Sequence, residues 1–328
     1  GFGKVLAVFY AVMLIGGSFG GGNMFQSNQA AAQFTAMIGT DSGWAGFGFG
    51  VVIAILVGIV IIGGIKRIGK VAERIVPAMV GVYILAAIVI LAVNFTAIPN
   101  AFGQILSGAF TGAGIAGGII GVLIQGFQRA AFSNEAGVGS ASVAHSAVKT
   151  KYPASEGVVA LLEPFIDTIV VCTMTALVII IFNTNGHFVY GDVVNSEVLM
   201  TATDTRLGGV NLTSAAFNSV IPGFSYILTI AVILFAFSTM LSWSYYGLQA
   251  WKYLFGKTKI ADTTYKILFC IFVVIGAASS LGSIIKFSDA MVFAMIFPNM
   301  VGLFLLAPVV RKEINRYVEA IKSGKLNT

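Results

Sequence analysis

Long apolar segments separated by short polar loops are the feature that most constrains the fold of this chain. A segment of about 20 apolar residues is long enough to cross a bilayer as an α-helix. Eight such segments are predicted, over residues 5–38, 46–64, 77–95, 103–127, 157–182, 217–250, 264–285 and 290–310. The pattern therefore predicts an all-α polytopic membrane protein with about eight transmembrane helices.

The distribution of the basic residues supports the same number of spans. When loop 65–76 is placed in the cytoplasm, only two of the 19 Lys and Arg residues, Arg206 and Lys286, fall on the outer side. Cytoplasmic loops of membrane proteins are enriched in Lys and Arg, and a wrong span count would disturb this alternation. Both ends of the chain are therefore expected in the cytoplasm, with 311–328 as an amphipathic tail.

Composition excludes a soluble globular protein. Only 10% of the residues are charged, 57% are hydrophobic and the mean hydropathy is +0.93, so charged residues are too few to cover a soluble surface. The net charge of +6 is explained by cytoplasmic loops beside anionic lipid, not by nucleic-acid binding. Cys172 and Cys270 lie in apolar spans, so no cofactor and no metal other than a transported cation is expected. Because the chain begins without Met, we expect it to be part of a longer protein.

The span 103–127 contains five glycines within residues 107–118. Each glycine in a helix interior costs about 0.5–1 kcal/mol relative to alanine, so this segment is expected to unwind in the membrane. Secondary transporters use such broken helices to present backbone groups to substrate and ion. The alternative is that small residues allow close packing of a continuous helix.

Two further segments place polar side chains inside apolar spans. In the first span, Asn23, Gln26 and Ser27 share one helix face and favour either interhelical hydrogen bonds or a binding site. In the sixth span, the hydroxyls of Ser238, Thr239 and Ser242 suit a hard monovalent cation such as sodium. The alternative for the hydroxyls is that they bond back to carbonyls of their own helix.

Asp167 is the only carboxylate predicted well inside a span, about ten residues into 157–182. An ionisable group at that depth is a functional candidate by default. The alternative is a structural role, in which Asp167 holds the amides of a neighbouring re-entrant segment.

Several runs of residues closely resemble the alanine or glycine:cation symporter family. They are Phe132–Ala141 with Ala144-His145, Phe165–Thr168, Cys172–Val178, Asn23-Met24 with Gln26 and Asn28, and Ser238-Thr239 leading to Trp243 and Tyr245–Gly247. The resemblance covers essentially the whole chain. It implies sodium- or proton-coupled uptake of small neutral amino acids by a leucine-transporter-like fold of two inverted five-helix repeats. Members have eleven spans, of which this chain would supply the last eight.

The resemblance also implies a division of the chain and a role for each cluster. Residues 1–102 would complete the first repeat, and 103–310 would form the second, with loop 183–212 as an extracellular gate region that includes a short lid helix. The implied substrate-binding residues are Phe25, Gln26, Asn28, Phe110, Thr111, Gly112, Thr239 and Trp243. The implied ion ligands are Ser238, Thr239 and Ser242, and Asn134, Glu135 and Asp167 would serve gating or structure, with Glu135 paired to a base such as Arg129.

The implied partners are a small neutral amino acid, a sodium ion or proton, and the lipid bilayer. The expected location is the inner membrane of a prokaryote, with no nucleic-acid partner and no inferable protein partner. An enzyme is disfavoured because the only histidines, His145 and His187, are predicted on opposite sides and no HExxH motif is present. An ion channel or another solute permease remains the alternative, since a glycine-broken span also suits a filter.

Overall fold

The structure is a computed structural model that describes residues 1–40, 42–110 and 119–324. Helices account for most of this part of the chain, which confirms the predicted all-α class. The helices are α1, Phe2–Ile38; α2, Gly43–Ile61; α3, Gly64–Val93; α4, Ile98–Phe110; α5, Ile119–Asn134; α6, Ala141–His145; α7, Pro153–Asn183; α8, Gly209–Val220; α9, Phe224–Phe255; α10, Lys259–Ala278; and α11, Leu281–Lys322.

Seven helices of the described residues are long and apolar enough to cross a membrane: α1, α2, α3, α7, α9, α10 and α11. The chain is thus an integral, multi-pass membrane protein. The remaining predicted span, 103–127, falls on α4, α5 and the residues between them. The expected break at 107–118, with the candidate site residues Thr111 and Gly112, lies outside the described residues except for 107–110.

Helix α1 is continuous over 37 residues but contains a π-helical turn at Gly20–Met24. The three consecutive glycines in this turn let α1 approach its neighbours closely: Gly20 faces α11, Gly21 faces α5 and Gly22 faces α9. A Cβ atom built on Gly22 would lie only 2.1 Å from Cγ of Trp243. A glycine run in this span therefore produces a tight helix contact, with one widened turn, and no loss of helix.

The main core lies where α1, α2, α9 and α10 meet. Tyr265 and Phe269 of α10 are fully buried there, and the ring of Phe19 from α1 stacks on Tyr265 with centroids 5.6 Å apart. Fully burying an aromatic or large aliphatic side chain contributes about 1.5–3 kcal/mol in water, whereas in lipid the benefit comes from close packing. This core holds the middle of α1 and α9 in fixed relative positions.

The connection 183–212 does not contain the expected lid helix. It forms a three-stranded antiparallel sheet in the order β1 (Phe188–Val194), β2 (Glu197–Met200) and β3 (Arg206–Gly208). The physical reason is local: β1 is rich in β-branched and aromatic residues, and Asn195 and Ser196 both have positive φ, as a tight hairpin turn requires. Helix α8 follows the sheet directly.

The loop predicted between 285 and 290 is also wrong. Helix α10 ends at Ala278 and α11 begins at Leu281, so Lys286 and Asp289 lie within the first turns of α11. Asp289 is therefore a carboxylate inside a membrane-spanning helix, which the predicted span boundaries concealed. Helix α11 then continues to Lys322 and includes most of the predicted tail.

Candidate functional site

A cavity of about 570 Å³ lies between the middle of α1, the end of α5, α9 and the first half of α11. Glu135, predicted to serve gating or structure, lines it, and so do six of the predicted substrate- and ion-binding residues: Phe25, Gln26, Ser238, Thr239, Ser242 and Trp243. These six residues come from two helices that are more than 200 positions apart in sequence. The structure therefore brings the two polar segments of the first and sixth predicted spans to one place.

The α1 wall of the cavity begins directly after the π-helical turn. The ring of Phe25 meets that of Phe132 from α5 edge to face, with centroids 5.1 Å apart and planes at 81°. The side-chain amide of Gln26 donates to the carbonyl oxygen of Gly21 at 3.1 Å, which leaves its own oxygen as an acceptor. This wall offers one amide group and a pair of aromatic rings.

The α9 wall carries three hydroxyl groups with different surroundings. Ser238 donates to the carbonyl of Phe235 at 2.9 Å, and Ser242 donates to the carbonyl of Ser238 at 3.3 Å. Back-bonding within the helix, the alternative raised from the sequence, thus occurs for both serines. The Thr239 hydroxyl has no hydrogen-bond partner among the described residues, and it faces the cavity. Since a bonded serine oxygen retains acceptor capacity, all three oxygens remain able to face a cation.

Trp243 lies one turn below Thr239 on α9 and is only 4% exposed. Its indole Nε1 donates a hydrogen bond of 2.8 Å to Oε1 of Glu135, and the Ser18 hydroxyl of α1 donates to its backbone carbonyl at 2.8 Å. The indole ring is therefore fixed by a polar contact on one edge and by the close approach of Gly22.

Four predicted residues are described but do not line this cavity. Asn28 is bonded to carbonyls of α10, Asn134 donates to the Thr168 hydroxyl at 2.6 Å, and the Phe110 side chain is 70% exposed. Asp167 accepts a hydrogen bond of 2.6 Å from the Ser133 hydroxyl.

The expected pair between Glu135 and Arg129 does not form. Arg129 instead makes an ion pair with Asp289 of α11, and its guanidinium lies 5.5 Å from the centroid of the Phe132 ring. Glu135 accepts hydrogen bonds from Trp243 and from the Ser140 hydroxyl. Arg129 lies on α5, which ends at Asn134, whereas Glu135 follows the helix with a left-handed φ of +56°, so the two side chains leave the chain in different directions.

The connection between α5 and α6, in which Glu135 lies, is outside the membrane-spanning helices. Burial raises the pKa of Glu135 from its ordinary value of 4.5 to about 7, and the nearby carboxylates of Glu163 and Asp167 add to the shift. The hydrogen bonds from Ser140 and Trp243 lower the pKa and offset part of this effect. Glu135 therefore titrates near neutral pH.

Sequence reasoning missed Phe132, Ser133, Arg129 and Tyr246 as cavity-lining residues. Phe132 and Ser133 belong to a run that was recognised but was assigned to a cytoplasmic element. The positions of Phe132 and Ser133 relative to Phe25 and Gln26 carry no signal in the sequence. These residues come together only because α5 packs against α1.

Comparison with protein families identifies the class of this membrane protein. A model of the sodium:alanine symporter family matches residues 2–328. The chain belongs to this family. The resemblance inferred from the residue runs is thereby confirmed, and so is the conclusion that the chain is of a transporter class and not an enzyme.

Three relatives illustrate the range of the sodium:alanine symporter family. The chain is 40% identical over 328 residues to the sodium/alanine symporter AgcS of Methanococcus maripaludis, covering all of this chain and 68% of that protein. It is 31% identical to the sodium/proton-dependent alanine carrier protein of Bacillus sp. PS3, with 92% of this chain and 67% of the carrier covered. It is also 31% identical to the probable sodium/glutamine symporter GlnT of Bacillus subtilis, with 92% and 59% covered. The chain spans about two thirds or less of the length of these relatives.

Proposed function

We propose that this chain belongs to a secondary transporter that couples the uptake of a small neutral amino acid, such as alanine or glycine, to a cation gradient. The observation that carries the proposal is the cavity where Gln26 of α1 faces Thr239 and Trp243 of α9. The relatives that are similar to this chain include proteins named as a sodium/alanine symporter and as a sodium/proton-dependent alanine carrier.

The chemistry of the cavity wall supports a small zwitterionic substrate. Such a substrate needs acceptors for its ammonium group and donors for its carboxylate. Gln26 supplies an amide oxygen, and Thr239 supplies a hydroxyl that can donate or accept. The rings of Phe25, Phe132 and Trp243 bound the same space, so the wall is suited to exclude large side chains. Asn28, Phe110, Thr111 and Gly112 remain proposed contributors that this geometry does not support directly.

The proposed ion ligands are Ser238, Thr239 and Ser242. Hard monovalent cations prefer oxygen ligands, and α9 offers three hydroxyl oxygens within two turns beside the cavity. Sodium is the proposed coupling ion because the family and the relative AgcS carry sodium in their names, with a proton as the second candidate from the PS3 carrier.

The proposed transport cycle is alternating access between two inverted repeats, 1–102 with preceding residues and 103–310. Ion and substrate would stabilise the same closed arrangement, so that each raises the affinity for the other. The protein would reside in the cell membrane of a prokaryote with its C-terminus in the cytoplasm.

Uptake into proteoliposomes tests this proposal. The full-length protein is reconstituted, and radiolabelled alanine uptake is followed with an inward sodium gradient, with an inward proton gradient and with neither. Saturable accumulation above the external concentration, driven by sodium and abolished by a sodium ionophore, is the expected result. Uptake that never exceeds equilibration would indicate a channel, and sodium-driven accumulation of radiolabelled glutamine without accumulation of alanine or glycine would replace the proposed substrate.

A further inference from the structure

The connection between α5 and α6, residues 135–140, packs against the helix bundle, although Ala136 remains exposed. Val138 and Ser140 are fully buried, and the carbonyl of Gly137 accepts a hydrogen bond of 2.8 Å from Asn299 of α11. A Cβ atom on Gly139 would lie 2.6 Å from Oδ1 of Asn299 and 2.8 Å from the Tyr10 hydroxyl, so only glycine fits there. The connection is therefore held between α1 and α11.

Glu135 begins this connection in an unfavourable backbone conformation. Its φ is +56°, a left-handed value that glycine adopts readily and that other residues adopt at a cost of about 1–3 kcal/mol. The carboxylate compensates by accepting two hydrogen bonds, one from Trp243 and one from Ser140. A strained position kept by a buried charged side chain indicates that the side chain itself is required.

The carboxylate of Glu135 accepts a hydrogen bond from Trp243, whose side chain lines the cavity described above. An indole group has a single hydrogen-bond donor, and that of Trp243 is directed at Oε1 of Glu135. The backbone of Trp243 is held separately by the Ser18 hydroxyl. The hydrogen bond that the indole donates to Glu135 is therefore the polar contact that sets the rotation of the ring, because without it the buried N–H group has no partner in the described residues.

We propose that Glu135 is a positioning residue for the amino-acid site: it fixes the Trp243 ring against the cavity and links that ring to the connection 135–140. The substrate named here rests on the proposed function. The carboxylate of Glu135 joins the connection to the Trp243 ring in the cavity wall. The connection therefore cannot move away from α9 without releasing or rotating that ring. Substrate that packs on the fixed ring therefore favours the position that the connection has in this structure, by the reciprocity of coupled equilibria.

Four variants of the full-length protein test the proposal. Glu135→Ala removes the acceptor, Trp243→Phe removes the donor and keeps a ring, and Glu135→Gln keeps an acceptor oxygen without the charge. Asn299→Ala is the matched control, because it removes a hydrogen bond that holds the same connection but does not contact Trp243. The readouts are alanine binding in detergent, the alanine half-saturation and maximal rate of uptake, and the fluorescence emission of Trp243. The Trp243 emission is the difference between the spectra measured with and without the Trp243→Phe substitution.

The expected result is a weakening of alanine binding by about tenfold in Glu135→Ala and in Trp243→Phe, since a tenfold change corresponds to the loss of one hydrogen bond to a charged group. The double variant Glu135→Ala with Trp243→Phe should be no weaker than either single variant. Glu135→Gln should stay within about threefold of the wild type. Asn299→Ala should lower the maximal rate and leave the half-saturation for alanine and the Trp243 emission unchanged.

The proposal is overturned if Glu135→Ala binds alanine as the wild type does, or if the effects of the two single variants multiply in the double variant. It is also overturned if the Trp243 emission of the ligand-free protein is the same in Glu135→Ala as in the wild type. This last measurement needs no substrate. A wild-type protein that takes up no amino acid would refute the proposed function, while a shifted emission would still support the contact between Glu135 and Trp243.

Discussion

The side-chain nitrogen of Asn28 lies 2.7 Å from the carbonyl oxygen of Ser279, at the point where α10 ends. The same nitrogen is also 3.2 Å from the carbonyl oxygen of Gly276. The last carbonyls of a helix have no partner within the helix, and Asn28 of α1 supplies a donor to the Ser279 carbonyl and a second donor to the Gly276 carbonyl, which also accepts from the Ser279 N–H. This relationship makes Asn28 an interhelical contact in the present arrangement.

Replacement of Asn28 by Ala is accordingly expected to destabilise the protein without ligand. Two buried carbonyls would lose a donor, at a cost of about 1–3 kcal/mol. Thermal unfolding in detergent measures this loss, with Ser27→Ala as the control, because Ser27 bonds only to the carbonyl of Met24 in its own helix. Weaker alanine binding with an unchanged melting temperature would show instead that Asn28 belongs to the substrate site.

Replacement of Thr239 by Val is expected to raise the sodium concentration for half-maximal uptake by about tenfold. Val has the same shape but lacks the hydroxyl oxygen, and loss of one ligand to a desolvated cation costs about 1–3 kcal/mol. Sodium titration of alanine uptake measures the change. Ser244→Ala is the control, because that hydroxyl donates to the carbonyl of Leu241 in its own helix and does not line the cavity. A sodium half-saturation that is the same in Thr239→Val and in the wild type argues against an ion ligand.

Two glycine-to-alanine changes are expected to shift the stability of the protein in opposite directions. In Gly22→Ala the new Cβ atom would lie 2.3 Å from Cβ of Trp243, which is close to the α9 backbone and cannot swing aside, so α1 and α9 must separate. We expect destabilisation by about 1–3 kcal/mol and loss of transport. In Gly48→Ala of α2 nothing lies within 4 Å, so the change should stabilise the helix by up to about 1 kcal/mol. Melting temperatures that shift in the same direction in both variants would contradict the packing described for Gly22.

Stability is expected to depend on pH through Glu135, whose pKa is raised by burial to about 7. In the unfolded chain this group ionises near 4.5, so between these values the unfolded state binds fewer protons than the folded one. The stability contribution of Glu135 is therefore present below about pH 4.5 and is lost as pH rises through 7. The melting temperature of the wild type, relative to that of Glu135→Gln, should fall over this range. Parallel curves for the two proteins would show that Glu135 does not titrate there.

The helices and the two polar walls of the cavity could be predicted because their signals are local. Apolar length identified the membrane spans, and hydroxyl or amide groups inside those spans identified Gln26, Thr239 and their neighbours. The partners of these groups could not be predicted in the same way. Whether Asn28 faces a cavity or the end of α10, and whether Arg129 pairs with Glu135 or Asp289, depends on how distant helices pack.

Two local features were also missed, and each has a physical reason. The strand residues Phe188–Val194 carry a β-pattern that is short and lies in a polar loop, where a lid helix was expected from the length of the loop. The π-helical turns, at Gly20–Met24 and Phe165–Cys172, leave no periodic mark that distinguishes them from an ordinary helix. Both turns lie beside residues that contact α5.

The π-helical turn of α1 rotates the second half of that helix about the helix axis relative to the first half. Each residue of an α-helix rotates the chain by about 100°, so one residue more or less in Gly20–Met24 turns everything that follows by about that angle. The face of residues 2–19 that packs on α9 and α11 is thereby decoupled from the face of residues 25–38. The π-helical turn sets Phe25 and Gln26 toward the cavity and Asn28 toward α10 while residues 2–19 keep their own contacts, and a regular helix of the same sequence would turn all three side chains away from these partners.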